Sequence, residues 1–182
     1  ILISQLLTLF HLYSNIMAET LKETFESWLN KIQSGLVESY ISKGLKASGE
    51  WEKSLEQFYS KEGGKFTFGI KANDYSEYMQ NGRRPNKKQG HENLVKWAYW
   101  ATNEEFSTGG FISKWARVKG LSGNPFGIAY NIAKEGIKVP NTHNVGGLVT
   151  DVVNDESIKE LSDSLTLFFV NKIRSDLRQI FD

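Results

Sequence analysis

The amino-acid sequence predicts an α+β chain. The expected architecture is a small, mostly antiparallel sheet of about four strands, packed against a long N-terminal helix, a central group of short helices and a long C-terminal helix. Three observations predict it. Leu21, Phe25, Trp28, Leu29, Ile32, Leu36 and Tyr40 recur at helical spacing. Phe66, Phe68 and Ile70 alternate with polar or small residues, the pattern of a half-buried strand. Ile158, Leu161, Leu165, Phe168, Phe169, Ile173, Leu177 and Phe181 return to a helical period near the C-terminus and form the expected buried face of that helix.

The first helix is expected over residues 20–42, with Thr20 as its cap and Glu23 completing a capping box. Glycines 44 and 49 then break the chain, and 51–54 suits one helical turn. Segments 55–60 and 65–72 flank a glycine-rich connection, Lys61-Glu62-Gly63-Gly64, and predict a β-hairpin. Asn73-Asp74 reads as a turn, and 75–80 as a third strand antiparallel to the second. Helices are expected over about 91–103, 111–118 and 124–134. Pro125 suits the first position of the last of these, and Gly136 its end. The apolar, β-branched run 147–153 predicts a fourth strand, and Asn154 or Asp155 caps the final helix.

The 182 residues suit one domain, expected over 17–182. Residues 1–16 form an apolar N-terminal extension without an acidic or basic side chain, and the first methionine is Met17. Three readings of this segment stand: upstream sequence read into the chain, a helical arm that buries its apolar face on a partner, or a membrane segment. It is short of the roughly 20 apolar residues of a span, and no membrane partner is expected. Nor is the segment expected to add core to the folded domain.

The chemistry the sequence offers is sparse. Net charge is +1, so no global field draws in nucleic acid. The absence of cysteine excludes disulfides, thiol catalysis and thiolate metal sites. His11, His91 and His143 have no metal-ligand spacing, and His91-Glu92-Asn93 lacks the second histidine of a zinc-protease helix. Glu104 and Glu105 are neighbours that point apart on a helix. Gly109-Gly110 lacks the lysine of a phosphate loop, and no serine sits in a nucleophile elbow. A carboxylate–lysine nuclease site would use Asp74, Glu77 and Lys71. On these grounds no catalytic residue, metal ligand or cofactor is assigned.

Arg83, Arg84, Lys87 and Lys88 lie on one short loop around Pro85, between Gly82 and Gly90. Most such runs are solvated. Their alternative use is contact with an anion or an acidic protein face, for which the arginine fork is suited. Four cations serve nonspecific phosphate contact where many copies line one path, and are too few for tight DNA binding by a monomer. Trp97, Trp100 and Trp115 exceed what one small core readily buries, and aromatic residues are enriched at interfaces. These seven residues are the interface or DNA-path candidates.

Four segments in fixed order carry a family likeness: Tyr75, Tyr78, Gly82 and Pro85; Leu94 to Trp97; Trp115 to Gly120; and Ala129 to Ile137 (Ala-Tyr-Asn-Ile-Ala-Lys-Glu-Gly-Ile). The set, over about 18–182, resembles the head–tail joining (neck) and tail-completion proteins of tailed bacteriophages. The resemblance implies a structural virion protein, without enzymatic activity, that forms a homo-oligomeric ring at the neck. It implies assembly in the host bacterial cytoplasm. The implied partners are further copies of the chain, portal or connector proteins, tail proteins and, in passing, DNA. Two other readings stand beside it: a nucleic-acid-binding module using the 83–88 loop, and an uncharacterised hydrolase or nuclease.

Overall fold

A computed structural model describes residues 2–63, 65–86 and 90–181, with side chains from residue 21 onward. The described elements are α1 (Leu2–Ser42), α2 (Glu50–Lys53), β1 (Glu56–Glu62), β2 (Lys65–Lys71), α3 (Tyr75–Asn81), α4 (His91–Thr102), α5 (Phe111–Val118), α6 (Pro125–Glu135) and α7 (Asp155–Phe181). The mixed class holds, with one two-stranded antiparallel sheet. Among the described residues, no helix is long and apolar enough to cross a membrane. Two compact units divide the chain. One comprises Ile1–Leu36, Glu56–Lys71 and Val149–Asp182, and the other Val37–Leu55 and Ala72–Leu148.

In the first unit, α1 buries Leu21, Phe25, Leu29, Ile32 and Leu36 on one face. The hairpin β1–β2 lies on that helix. Tyr59 pairs with Phe68 in the ladder, and the Phe68 ring stacks on Phe25 with centroids 4.0 Å apart. Gln57 donates to the side-chain oxygens of Asn30 and Gln33, both at 2.8 Å. On the opposite hairpin face Phe58 covers Gly69, where a Cβ would come within 2.9 Å of the Phe58 ring. The ring thus fills the space a glycine leaves in a strand. The start of α7 is tied to α1 by the Trp28 indole, which donates to the Ser157 carbonyl at 2.8 Å. Asn154 caps α7: its Oδ1 accepts from Ser157 N at 2.9 Å, and Ser157 Oγ accepts from Asn154 N at 3.0 Å.

The second unit is helical. Ala98 and Ala101 of α4 and Ala129 and Ala133 of α6 are wholly buried, because small side chains let two helices approach closely. Trp100, Phe126 and Ile132 fill in around them. Asn124 Oδ1 accepts from Phe126 N at 3.0 Å and starts α6 at Pro125.

Four expectations are corrected. The bounds 20–42 for the first helix are not matched: α1 runs unbroken from Leu2, so Thr20 lies inside the helix and not at its start. The four-stranded sheet is not matched. Residues 75–81 are helical, because Tyr75, Tyr78 and Met79 follow an i, i+3, i+4 spacing and Met79 alone is buried. Residues 148–153 form turns, with Val152 N and Val153 N both donating to Val149 O. The apolar composition there reflects the burial of Leu148 and the packing of half-buried Val152 against Gly35. Finally, α7 has no buried residue. Leu161, Leu165 and Phe168 are half-buried, whereas Ile158, Phe169, Ile173, Leu177 and Phe181 are exposed.

Removing the Phe25 ring takes away the centre of the α1–hairpin contact. Phe25→Ala is expected to lower unfolding stability by about 3–5 kcal/mol, measured by urea denaturation with tryptophan fluorescence and far-UV circular dichroism. A loss under 1 kcal/mol would mean that the hairpin is held by other contacts.

Candidate functional site

The Gly82 loop is built by two helix ends in the second unit. Helix α3 stops at Gly82, whose N–H still donates to Tyr78 O at 2.9 Å. Helix α6 stops at Gly136, whose N–H donates to Ile132 O at 2.9 Å. The next residue of each chain segment then pairs with the other. Arg83 N donates to Ile137 O at 2.9 Å, and Ile137 N donates to Arg83 O at 2.7 Å. Both glycines have positive φ, 74° and 77°. A Cβ on Gly82 would lie 2.1 Å from Ile137 O, and one on Gly136 would lie 2.2 Å from Arg83 O. The crossing therefore requires glycine twice, for conformation and for space. Past Pro85, Asn86 N donates to Ala133 O at 2.9 Å and fastens the loop to α6 again.

Arg83 turns inward. Its Cζ lies 4.2 Å from the Trp97 ring centroid, and Nη1 donates to Ile132 O at 3.2 Å. Among the described residues it has no carboxylate partner. The aromatic face and the carbonyl end of α6 meet its charge instead. Burial pulls its pKa below the usual arginine range, partly opposed by Tyr78. Arg84 is exposed. Lys87 and Lys88 lie outside the described residues. The sequence thus brought four cations to one loop, and the fold separates the first from the second.

Trp97, Trp100 and Trp115 are all half-buried. Trp97 lies under Arg83 and is edge-on to Phe111, centroids 6.1 Å apart. Trp100 meets Phe111 at 5.2 Å. Trp115 is half-buried on α5. The other chemical candidates stay scattered. His91 Nδ1 lies 2.9 Å from Tyr130 Oη. Glu104 is paired with Arg117. Lys71 stands over the Phe58 ring, while Asp74 and Glu77 sit at the start of α3. Among the described residues, no group of three or more acidic or histidine side chains is arranged to hold a metal ion.

Sequence reasoning missed the pairing of Gly82 with Gly136 and the Ile132 carbonyl as an arginine acceptor. A usable signal existed: each glycine follows a helical run and is itself followed by a residue that continues extended.

No protein-family model, curated protein or solved structure matches this chain.

Two predictions follow from this geometry. Gly136→Ala is expected to cost at least about 2 kcal/mol, or to prevent folding. Gly127→Ala, in the same helix with open space around its Cα, should be neutral or stabilising by up to about 1 kcal/mol. Chemical denaturation of the two variants separates strain at the crossing from a general glycine effect. Arg83→Ala is expected to cost about 1–2 kcal/mol and to change Trp97 emission. Arg84→Ala should stay within about 0.5 kcal/mol of the parent. Equal effects from the two arginines would contradict the inward placement of Arg83.

Proposed function

We propose that this chain is a structural virion protein of a tailed bacteriophage, a neck or tail-completion subunit that forms a ring joining head and tail. The observation that carries the reading is the order of the four family-like segments along the sequence. Their residues are also the ones that hold the second unit together. Gly82 crosses Gly136, Asn86 beyond Pro85 bonds Ala133, and Trp97 carries Arg83. A likeness made of glycines, a proline and packed aromatics supports a scaffold rather than a reaction centre. In this reading Arg84, with Lys87 and Lys88, meets an acidic face of a neighbouring neck protein or the passing DNA. Pro85 limits backbone freedom on that loop, which lowers the entropy lost on docking. Arg83 serves inside the subunit, as the lock between loop and α4.

The test uses the phage whose genome carries this reading frame. Mass spectrometry and cryo-electron microscopy of purified virions should find several copies per particle, placed as a ring between portal and tail. Absence from virions, or one isolated copy, would overturn the proposal. Arg84→Ala with Lys87→Ala and Lys88→Ala should leave the far-UV circular dichroism spectrum of the subunit unchanged; Arg84 is exposed, and exposed charges add little stability. It should yield filled heads and free tails in the lysate. Normal infectious titre from that triple variant would return the loop to a solvated surface.

A further inference from the structure

Helix α7 presents an apolar seam that its own unit leaves uncovered. Val170, Ile173, Leu177 and Ile180 are spaced 3, 4 and 3 residues apart, the heptad period in which helices wind on one another. Their exposures are 37%, 58%, 47% and 72%. Phe169 and Phe181 flank the seam and are also exposed. Arg174, Arg178 and Gln179 lie elsewhere around the helix in solvent. The half-buried stripe of Leu161, Leu165, Phe168 and Lys172 lies about 120° round the helix from the seam at 100° per residue. The seam is therefore a second apolar surface, separate from the one already half covered.

Its size matters. Together these side chains expose on the order of 600 Å² of apolar surface. That reaches the upper end of the largest patch on a typical monomer, about 300–600 Å². It approaches the roughly 800 Å² that each partner gives to a stable interface.

We propose that the Val170–Ile180 seam is a self-association surface, closed by the same helix of further copies of this chain in a parallel bundle. The residue types choose the arrangement. With Val170 and Leu177 at the a positions, Ile173 and Ile180 fall at d, where isoleucine disfavours a two-stranded parallel coil and shifts preference to three or more strands. Phe169 and Phe181 at the flanking positions widen the apolar face beyond the narrow seam of a dimer. In a parallel bundle, Phe169 of one copy also meets Arg174 of the next, a cation–π pairing. An antiparallel pair centred on Ser175 would instead oppose Arg174 to Arg174 and Asp176 to Asp176, a repulsive arrangement.

The chain has no cysteine, so one introduced thiol reports its own neighbourhood. In the full-length chain, Ile173→Cys should form disulfide-linked chains under mild oxidation, because d positions face each other in a parallel bundle. Arg178→Cys, off the seam, should not. Analytical ultracentrifugation should give the parent a mass of three or more chains. Ile173→Glu with Leu177→Glu should reduce it to one chain, with helical content unchanged because both side chains are exposed. A parent that sediments as a single chain well above micromolar concentration overturns the proposal, as does equal cross-linking from both cysteines. A monomeric parent that binds vesicles of phosphatidylglycerol and phosphatidylcholine would overturn it too, making the seam a lipid-facing surface. The inference does not rest on the neck reading. A bundle formed by a chain that virions lack would sustain the one and sink the other.

Discussion

Two glycines, each set against the carbonyl of the residue that follows the other, are the constraint on which the second unit depends. Helices α3 and α6 are brought end to end only because Gly82 and Gly136 leave room for Ile137 O and Arg83 O. Any larger residue at either position would push the two backbones apart and break both hydrogen bonds of the crossing. Once the crossing is made, the direction of the chain beyond it is set. Arg83 lays its side chain across Trp97, and Asn86 falls onto the last turn of α6. Half-burial of a guanidinium without a carboxylate among the described residues is tolerable because the π face and the Ile132 carbonyl are already fixed by α4 and α6. A buried ion without such partners would be expensive.

The packing of the helices follows the same logic of small against large. Three alanines, Ala98, Ala101 and Ala129, share one buried cluster between α4 and α6. They stabilise little by their own area and act by bringing the backbones close, so that Trp100, Phe126 and Ile132 can close over the contact from the sides. The first unit solves its problem in the opposite way. A two-stranded hairpin is marginal alone in water, and this one is held by large aromatic area, with Phe25 of α1 stacked on Phe68 and Trp28 edge-on to it. Removing volume therefore damages the first unit, and adding volume damages the second.

Much of this was legible in the sequence, and the failures have a common cause. The hairpin, α4, α5 and α6 are marked by local signals: alternation, proline at a helix start, glycine at a helix end. Those signals depend on the backbone alone. The third strand failed because aromatic residues suggest strand by composition, whereas the positions of Tyr75, Tyr78 and Met79 follow the helix period. The fourth failed because Leu148 and Val152 are apolar for burial in turns. The loop was recognised as special from Gly82 and Pro85. That Arg83 would turn inward was not readable, since it requires Trp97 to arrive from another helix and Ile132 O from a third. Neighbouring arginines are equivalent in a sequence. They become different only when one finds an acceptor.

The C-terminal helix shows the limit of reading burial from periodicity. An apolar stripe says that a helix face avoids water, and leaves open what covers it. In α7 the sequence pattern is as regular as that of α1 between Leu21 and Leu36. Yet the α1 stripe meets the hairpin, while the α7 stripe from Phe169 onward meets solvent within the single chain. The energetic argument that makes a stripe informative applies equally to an intermolecular cover, because roughly 25 cal/mol is gained per Å² removed from water whichever chain does the covering. A 27-residue helix that half-buries Leu161, Leu165 and Phe168 on its own unit and leaves an apolar seam in solvent beyond them has the pattern expected of an element shared between folding and assembly.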